Sequence, residues 1–354
     1  LGLPGEDLSG VYAATDFVGW YNGHPDHRDH RFDLSQAKRA AIVGNGNVAM
    51  DVARILLSDP ERLAATDIAE HALEALRHNG VREVYLLGRR GPAQAAFSPK
   101  ELEEIAELAD TDVVVMPDEA KLSPLCEQWL ANAARSQQRN AKLIQEFAER
   151  GDGDRSRKLR CRFLVAPVEL RAAGGKLAGV RLQRMQLVAG DDGQPRPKPV
   201  EAFEELQVDL LFKAIGYKGV PVPGVPYEPK KGIVPNRDGR VLDKDGGELS
   251  TGQYAVGWCK RGPTGLIGTN SPDSKATVEA MLADKAAGAH LRPSADDLPE
   301  RLQAAGSDLV TWQDWERLDV WERSEGEKRG RLRHKLPSNE ETLRTIRMLR
   351  NAAK

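Results

Sequence analysis

The chain has 354 residues, of which 40% are hydrophobic and 29% charged, with a formal net charge of −2. This length is enough for two domains, and the composition is typical of a soluble globular protein. The small net charge argues against a general attraction to nucleic acid or membranes, and no apolar run approaches the roughly 20 residues that cross a bilayer.

The cysteine content excludes two classes of redox protein. The cysteines are Cys126, Cys161 and Cys259, isolated from one another and odd in number, which argues for a reducing, cytoplasmic location without disulfides. Without a C-x-x-C motif the chain is not a disulfide reductase, and its thiolates are too few for a four-cysteine iron–sulfur cluster. We predict no metal site. The first residues, LGLPGEDLSG, have the character of a turn rather than of a signal peptide, and we expect the chain to begin inside a longer protein.

The first predicted strand–turn–helix unit is AAIVGNGNVAMDVARILL, residues 40–57. Gly44, Gly46 and Ala49 fit the pattern G-x-G-x-x-A. Gly44 permits the tight turn, Gly46 lets a pyrophosphate approach the backbone, and the small Ala49 lets the helix pack against the strand. The helix N-terminus would offer free N–H groups to the phosphates. On the motif alone, a tight turn without a ligand remains the alternative.

The second predicted strand, Val81–Gly88, ends in Arg89 and Arg90. Folds that bind NAD place an acid at this point, whereas folds that bind NADP place arginine there for the 2′-phosphate. Two guanidinium groups can hold a phosphate through bidentate hydrogen bonds, which favours NADP(H) over a merely solvated loop. The spacing from Gly46 exceeds the usual ~20 residues, and a helical insert at about 59–77 accounts for the difference.

The next segment, SPKELEEIAEL, predicts a helix with Ser98 as N-cap and Glu101 completing a capping box. Glu104 lies one turn further on the same face, close to the expected nicotinamide ribose, although a solvated glutamate is the alternative. A third strand, TDVVVM, completes a β-α-β-α-β alternation. The alternation predicts a parallel, doubly wound sheet.

The middle of the chain predicts an amphipathic helix from about 118 to 155 and then an antiparallel hairpin. The hairpin strands are CRFLVAPVEL and GGKLAGVRLQRMQLV, turning at Gly174-Gly175. VDLLFKAIG, Val208–Gly216, predicts a strand that returns to the sheet. The Pro/Gly-rich segment after it marks a domain crossing.

A second glycine loop, VGWCKRGPTGLIGTN, follows a predicted strand, QYAVGWC, and precedes a predicted helix, Ser274–Ala287. Such a permissive backbone suits close approach to a flat ligand or a phosphate. A large flexible loop is the alternative, and composition does not decide between them.

Four stretches together resemble the adrenodoxin-reductase-type ferredoxin–NADP(+) reductases, which are flavoproteins of the two-dinucleotide-binding class: DFVGWYNGHP, GNGNVAMDVARILL, LLGRRGPAQAAFSPKEL and VGWCKRGPTGLIGTN. They occur in the family's order, and the last is close to diagnostic, since Gly257-Trp258 replaces the Gly-Asp of general flavoproteins. The family's N-terminal FAD motif and its active-site histidine are absent from these residues. The resemblance implies an α/β chain with a Rossmann-like, three-layer NADP-binding domain at about 4–213. It also implies that residues 214–354 are the C-terminal part of a split FAD-binding domain of the glutathione-reductase-like class, with a basic tail.

The resemblance also implies a set of site residues. The NADP(H) contacts would be Asn45, Gly46, Asn47, Val48, Arg89, Arg90, Glu101 and Gly265. The FAD contacts would be Trp258, Gly265, Leu266 and Ile267. Glu104 matches a catalytic glutamate thought to relay protons near the nicotinamide.

The activity implied by the resemblance is hydride transfer from NADPH to FAD, followed by transfer of single electrons to ferredoxin, an acidic iron–sulfur protein. A basic tail, Lys328–Lys335, could dock such a partner, with a solvated tail as the alternative. A rival function is an FAD/NADP oxidoreductase with another acceptor, as in the small subunit of glutamate synthase, although that subunit type carries cysteine clusters. A further rival is an NADP-binding module that catalyses nothing as an isolated fragment.

Overall fold

The computed structural model describes residues 1–216, 218–265, 267–289 and 297–352. The chain forms two compact units: the first is Leu1–Ile215 with Val310–Lys354, and the second is Gly216–Leu309. Among the described residues, no helix has both the length and the apolar character needed to cross a membrane. The assignment of 4–213 to NADP binding and of 214–354 to FAD binding stays a prediction.

The described residues of the first unit form nine strands. They are β1 (Val11–Ala13), β2 (Arg39–Val43), β3 (Glu83–Gly88), β4 (Thr111–Val115), β5 (Arg157–Phe163), β6 (Val165–Ala173), β7 (Lys176–Ala189), β8 (Pro195–Leu206) and β9 (Leu210–Lys213). Six of them form one sheet in the order β1-β9-β2-β3-β5-β4, and every neighbouring pair is parallel. The predicted parallel sheet is therefore confirmed, and all its strands end at the same edge, where α/β sheets bind their ligands.

Eight helices connect these strands. They are α1 (Ala14–Asn22), α2 (Asn47–Leu57), α3 (Pro60–Ala64), α4 (Glu70–Arg77), α5 (Pro99–Ala106), α6 (Pro117–Ala120), α7 (Pro124–Ala131) and α8 (Arg135–Arg150). The predicted insert corresponds to α3 and α4. The single helix predicted for 118–155 is wrong: three helices occupy that segment, and two of them begin at a proline, the residue that suits a first helical position but not a helix interior.

The two faces of the parallel sheet are covered differently. In β2, Ala40 and Ile42 belong to a core shared with the helices, whereas Ala41 and Val43 face a second core shared with β6, β7 and β8. This alternation is the period of two expected of a strand buried on both faces. Burial of each large apolar side chain contributes about 1.5–3 kcal/mol. The predicted three-layer α/β fold is confirmed, with an antiparallel sheet as its third layer.

The predicted hairpin is confirmed at its turn and wrong at its start. Gly174 and Gly175 join β6 to β7 with φ of +57° and +78°, the positive values that a two-residue hairpin turn requires. The stretch CRFLVAPVEL does not form one strand, because Leu164, with φ of +57°, separates β5 of the parallel sheet from β6. The third strand, β8, was not predicted.

The second unit contains a small antiparallel sheet and three helices among its described residues. The elements are β10 (Asn236–Arg237), β11 (Arg240–Leu242), β12 (Leu249–Tyr254), α9 (Trp258–Arg261), α10 (Ile267–Ala286) and α11 (Leu298–Ala304). The predicted strand QYAVGWC ends at Tyr254, because Gly257, with φ of +65°, turns the backbone into α9. Helix α10 begins before the predicted Ser274 and accommodates Pro272 in its second turn.

Two C-terminal helices belong to the first unit: α12 (Trp312–Glu327) and α13 (Asn339–Ala352). Helix α12 begins with a capping box, in which Asp314 accepts the Thr311 N–H at 2.9 Å and Thr311 Oγ1 accepts the Asp314 N–H at 3.2 Å. Arg350 of α13 donates to the buried Asp314 carboxylate at 2.7 Å and holds the pKa of that group well below its usual range. The two helices are therefore joined by a partly buried ion pair.

Candidate functional site

The turn after β2 has the geometry of a phosphate-binding turn. Gly44 has φ of +131°, and a Cβ on it would lie 2.3 Å from the Ala214 carbonyl oxygen, so only glycine fits there. Gly46 is the N-cap of α2, and a Cβ on it would meet nothing within 4 Å. The first N–H groups of a helix lack intrahelical acceptors. The backbone around Gly46 is therefore open to a ligand at the positive end of α2.

The two asparagines of this turn have different surroundings. Asn47 Oδ1 accepts the Ser98 backbone N–H at 2.8 Å, which connects the start of α2 to the start of α5. Asn45 Nδ2 is buried and has no hydrogen-bond partner among the described residues. A buried amide donor without an acceptor costs about 1–3 kcal/mol. The Asn45 side chain therefore has a hydrogen-bond donor that no described protein atom satisfies. Val48, in the first turn of α2, packs its side chain against the core.

The capping box predicted for α5 is wrong. Ser98 is the N-cap residue and Pro99 follows it, but the Ser98 side chain makes no capping hydrogen bond. The Ser98 N–H is already bound to Asn47, and the Glu101 side chain turns toward Arg54, 3.8 Å from its Nη1. Because one oxygen of Glu101 is buried without a hydrogen-bond partner in the described chain, local capping does not explain its position.

The arginine pair lies at the expected edge of the sheet. Val43 and Leu87 are register partners, so β2 and β3 end side by side, and Arg89 and Arg90 follow β3 directly. Both arginines are exposed. Neither guanidinium has an ion-pair or hydrogen-bond partner within the described ranges. The structure brings the glycine turn and two available cations to adjacent strand ends, as predicted.

A charged cluster joins α2 to α5. Arg54 Nη1 donates to Glu104 at 2.7 Å, and its Nη2 donates to Asp51 one turn earlier on the same helix. Lys100 Nζ lies 3.4 Å from the other Glu104 oxygen. With Glu101 3.8 Å away, Arg54 faces three carboxylates. Arg54 and Asp51 were not predicted, although their spacing of three on the polar side of α2 was a detectable signal.

The pKa shifts in this charged cluster follow from burial and from the shared cation. Burial raises the pKa of Glu101 above its usual value, against the opposing effect of Arg54. Burial likewise raises the pKa of Asp51. For Arg54, burial favours the neutral form, but the three carboxylates outweigh it and raise the pKa. The cluster therefore places three carboxyl groups around one arginine, Arg54, that stays charged.

In the second unit, Asp273 organises the glycine loop. Its Oδ2 accepts the Gly257 N–H at 2.6 Å and lies 3.2 Å from Arg261 Nη1, while its Oδ1 lies 3.0 Å from Lys260 Nζ. The Gly257 hydrogen bond is the largest cause of the lowered pKa of Asp273. Asp273 was not predicted as a site residue.

The predicted flavin contacts of this loop are only partly open to description. Trp258 begins α9 and is 40% exposed. Gly265, with φ of +83°, precedes α10. Leu266 and the Ile267 side chain lie outside the described residues. These assignments remain predictions.

Most of the basic tail packs against the protein, whereas the Lys328 and Arg329 side chains stay 66% and 44% exposed, and docking of a ferredoxin on the tail stays a prediction. Arg331 is 6% exposed in its side chain and donates to Glu70 at 2.7 Å and to the Ile68 carbonyl oxygen. The remaining tail cations lie within 4.0 Å of acidic groups: Lys328 and Arg329 near Glu325, Arg333 near Asp319 and Glu322, His334 near Glu70, and Lys335 near Asp67. The tail attaches α12 to the α3–α4 segment.

Comparisons with known proteins give close relatives over nearly the whole chain. The chain is 44% identical to the NADPH-ferredoxin reductase FprA of Mycobacterium leprae over 349 residues, which is 97% of the chain and 74% of the relative. It is 39% identical to the mitochondrial NADPH:adrenodoxin oxidoreductase of Arabidopsis thaliana, covering 97% of the chain and 73% of the relative. The structure of Mycobacterium tuberculosis FprA in complex with NADPH matches with a TM-score of 0.88 at 42% identity, over 98% of this chain and 75% of that one. No family model matches the chain.

Proposed function

We propose, from the premise that the chain belongs to the adrenodoxin-reductase-type ferredoxin–NADP(+) reductases, that it transfers electrons from NADPH through FAD to a ferredoxin. The observation that carries the proposal is the pairing of a glycine turn at the N-terminus of α2 with the available Arg89 and Arg90 at the end of the neighbouring strand. The 44% identity to a named NADPH-ferredoxin reductase supports the acceptor.

The residues of the first unit fit NADP(H). The backbone at Gly46 is open for the pyrophosphate, and the buried Asn45 Nδ2 lacks an acceptor that a ligand oxygen could supply. Arg89 and Arg90 would hold the 2′-phosphate, the group that distinguishes NADPH from NADH. Glu101 keeps a buried oxygen available toward the same ligand, which supports a binding role for it.

The described part of the second unit fits contact with a flat ligand. Gly257 and Gly265 adopt the positive φ that glycine tolerates best, Gly265 is exposed, and Trp258 is 40% exposed. When bound, FAD would accept two electrons together from NADPH and release them one at a time. The Asp273 contacts would hold the loop in one conformation for that ligand.

The reaction is tested with the purified holoprotein, NADPH and a [2Fe–2S] ferredoxin, following the loss of ferredoxin absorbance on reduction. We expect NADPH to reduce the ferredoxin and NADH to be far slower. If NADPH reduces ferricyanide but not ferredoxin, the acceptor is wrong. If neither acceptor is reduced while NADPH still binds, the chain is a binding module without catalysis.

We propose that Glu104 relays protons near the nicotinamide, because Arg54 and Lys100 fix the position of its carboxylate on the face of α5 nearest α2. Glu104→Gln should lower kcat by about 10- to 100-fold, within the range of general acid–base effects, with little change in NADPH affinity. Glu103→Gln, one residue earlier and paired with Arg139, is the matched control. Equal activities of the two variants would remove Glu104 from the reaction.

A cytoplasmic location is also part of the proposal. Cys126 and Cys161 are buried as free thiols and Cys259 is exposed as one, which is the state expected in a reducing compartment.

A further inference from the structure

Three side chains with metal-ligating atoms meet between α1 and the loop that follows it: Asp16, His27 and His30. His27 Nδ1 lies 3.3 Å from His30 Nε2 and 3.7 Å from Asp16 Oδ1. One ligand atom from each residue lies within 4.8 Å of the others. We propose that these residues form a binding site for a divalent transition-metal cation, with Zn²⁺ as the probe ion.

The backbone brings the three residues together in a defined way. Asp16 lies in the first turn of α1, and Gly23, with φ of +77°, ends that helix and reverses the chain. A 3-10 turn at residues 25–27 then places His27 back against the helix. Its ring lies so close to Gly19 that a Cβ there would be 2.3 Å from His27 Cδ2. The imidazole is therefore held against α1 rather than free in solvent.

The spacing of the ligand atoms suits a tetrahedral cation. Zn–N and Zn–O bonds of about 2.0–2.1 Å separate two ligands of a tetrahedron by about 3.3 Å. The two imidazole nitrogens meet that value at 3.3 Å, the His27 nitrogen and the Asp16 oxygen exceed it at 3.7 Å, and all three ligand atoms lie within 4.8 Å of one another. Two imidazoles and one carboxylate leave the fourth position to water, and imidazole favours Zn²⁺ and its neighbours over Mg²⁺ or Ca²⁺.

Charge and exposure at the cluster permit entry of an ion. The side chains of His27 and Asp16 are 28% and 35% exposed. Arg28 lies 3.9 Å from Asp29 and 3.6 Å from Glu341, and no ion pair joins it to Asp16 among the described residues. A hydrogen bond between the two imidazoles also accounts for a 3.3 Å separation, and it is the alternative that the experiment must distinguish.

The test is calorimetric titration of the purified, chelator-treated, untagged chain with Zn²⁺. We expect one ion per chain and a rise in Tm when Zn²⁺ is added, because the ion binds the folded state. Removal of an outer-shell partner of a metal ligand lowers metal affinity by ~10- to 100-fold. Because His27→Ala and His30→Ala each remove a direct ligand, we expect each to weaken Zn²⁺ binding by at least as much. The near-isosteric Asp16→Asn should weaken it as well, and Co²⁺ should give a visible spectrum typical of four-coordination.

His78→Ala is the matched control, because His78 is an exposed histidine at the end of α4 that contributes no atom to the cluster. Retained Zn²⁺ binding in this variant, together with its loss in the cluster variants, supports the site. The proposal is overturned if wild-type protein binds no more Zn²⁺ than the His27→Ala/His30→Ala double variant does. It is also overturned if Zn²⁺ leaves the Tm of both the wild-type protein and the Asp16→Asn variant unchanged.

Discussion

Arg89 and Arg90 are exposed cations at a sheet edge with no protein partner in the described part of the chain, and we expect them to determine coenzyme preference. The double variant Arg89→Ala/Arg90→Ala should raise the Kd for NADPH at least tenfold, about 1.4 kcal/mol, and leave the Kd for NADH nearly unchanged. Fluorescence titration with each coenzyme measures both constants. Arg62→Ala, an exposed arginine on α3, is the control. Equal losses for the two coenzymes would show that the pair does not contact the 2′-phosphate.

Glu101 illustrates a residue whose position costs stability. Burial raises its pKa in the folded state, so the folded protein binds that proton more tightly than the unfolded chain does. The cost is therefore absent below the unfolded value of about 4.3 and grows as pH rises through the folded pKa. Glu101→Gln should raise the free energy of unfolding at pH 7 and leave it nearly unchanged at pH 4.

Urea denaturation at the two pH values measures this difference. Glu107→Gln is the control, since Glu107 is exposed at the end of the same helix. A Glu101→Gln protein that is less stable at pH 7 would mean that the contact with Arg54 outweighs the burial of the carboxylate.

At the scale of elements, Asp273 shows how one side chain orders a glycine-rich loop. It binds the Gly257 N–H and two cations of α9, and the first of these contacts is the largest cause of its lowered pKa. Such a group stabilises the loop at neutral pH and ceases to do so as pH falls through the lowered pKa. Asp273→Ala should therefore reduce hydrogen-exchange protection of residues 257–262 at neutral pH, and by less in acid.

Asp245→Ala removes another acidic partner of a lysine in the same unit and is the control. If protection of residues 257–262 stays at the wild-type level in Asp273→Ala, the loop is held by its backbone alone.

Helix and strand positions that depend on local periodicity could be predicted, and positions that depend on tertiary contact could not. The parallel sheet and the edge at which the candidate site lies could be predicted, because β-branched strands and glycine turns have local sequence patterns. The capping role predicted for Glu101 was wrong because its partner, Arg54, lies on another helix, and no local sequence pattern connects the two residues. Leu164 adopts its positive φ because the chain passes there from one sheet to another, which no hydrophobic pattern records.

At the scale of the whole molecule, the role of the basic tail depends on the groups that its charges contact in the folded protein. Arg331 is almost fully buried against Glu70 and the Ile68 carbonyl, 261 and 263 positions away in sequence. Arg331→Ala should lower the free energy of unfolding by about 1–3 kcal/mol, because it removes charge-assisted hydrogen bonds. The KM for ferredoxin should not change.

Urea denaturation and the ferredoxin assay measure the two quantities on the same protein. Lys328→Ala removes an exposed tail cation whose one ion-pair partner in the described chain is Glu325, nearby in sequence, so it should affect neither quantity. A raised KM for ferredoxin in Arg331→Ala with unchanged stability would support the tail as a docking surface. A stability loss with unchanged KM would establish that its charges serve the fold, so that a ferredoxin must be recognised elsewhere on the protein.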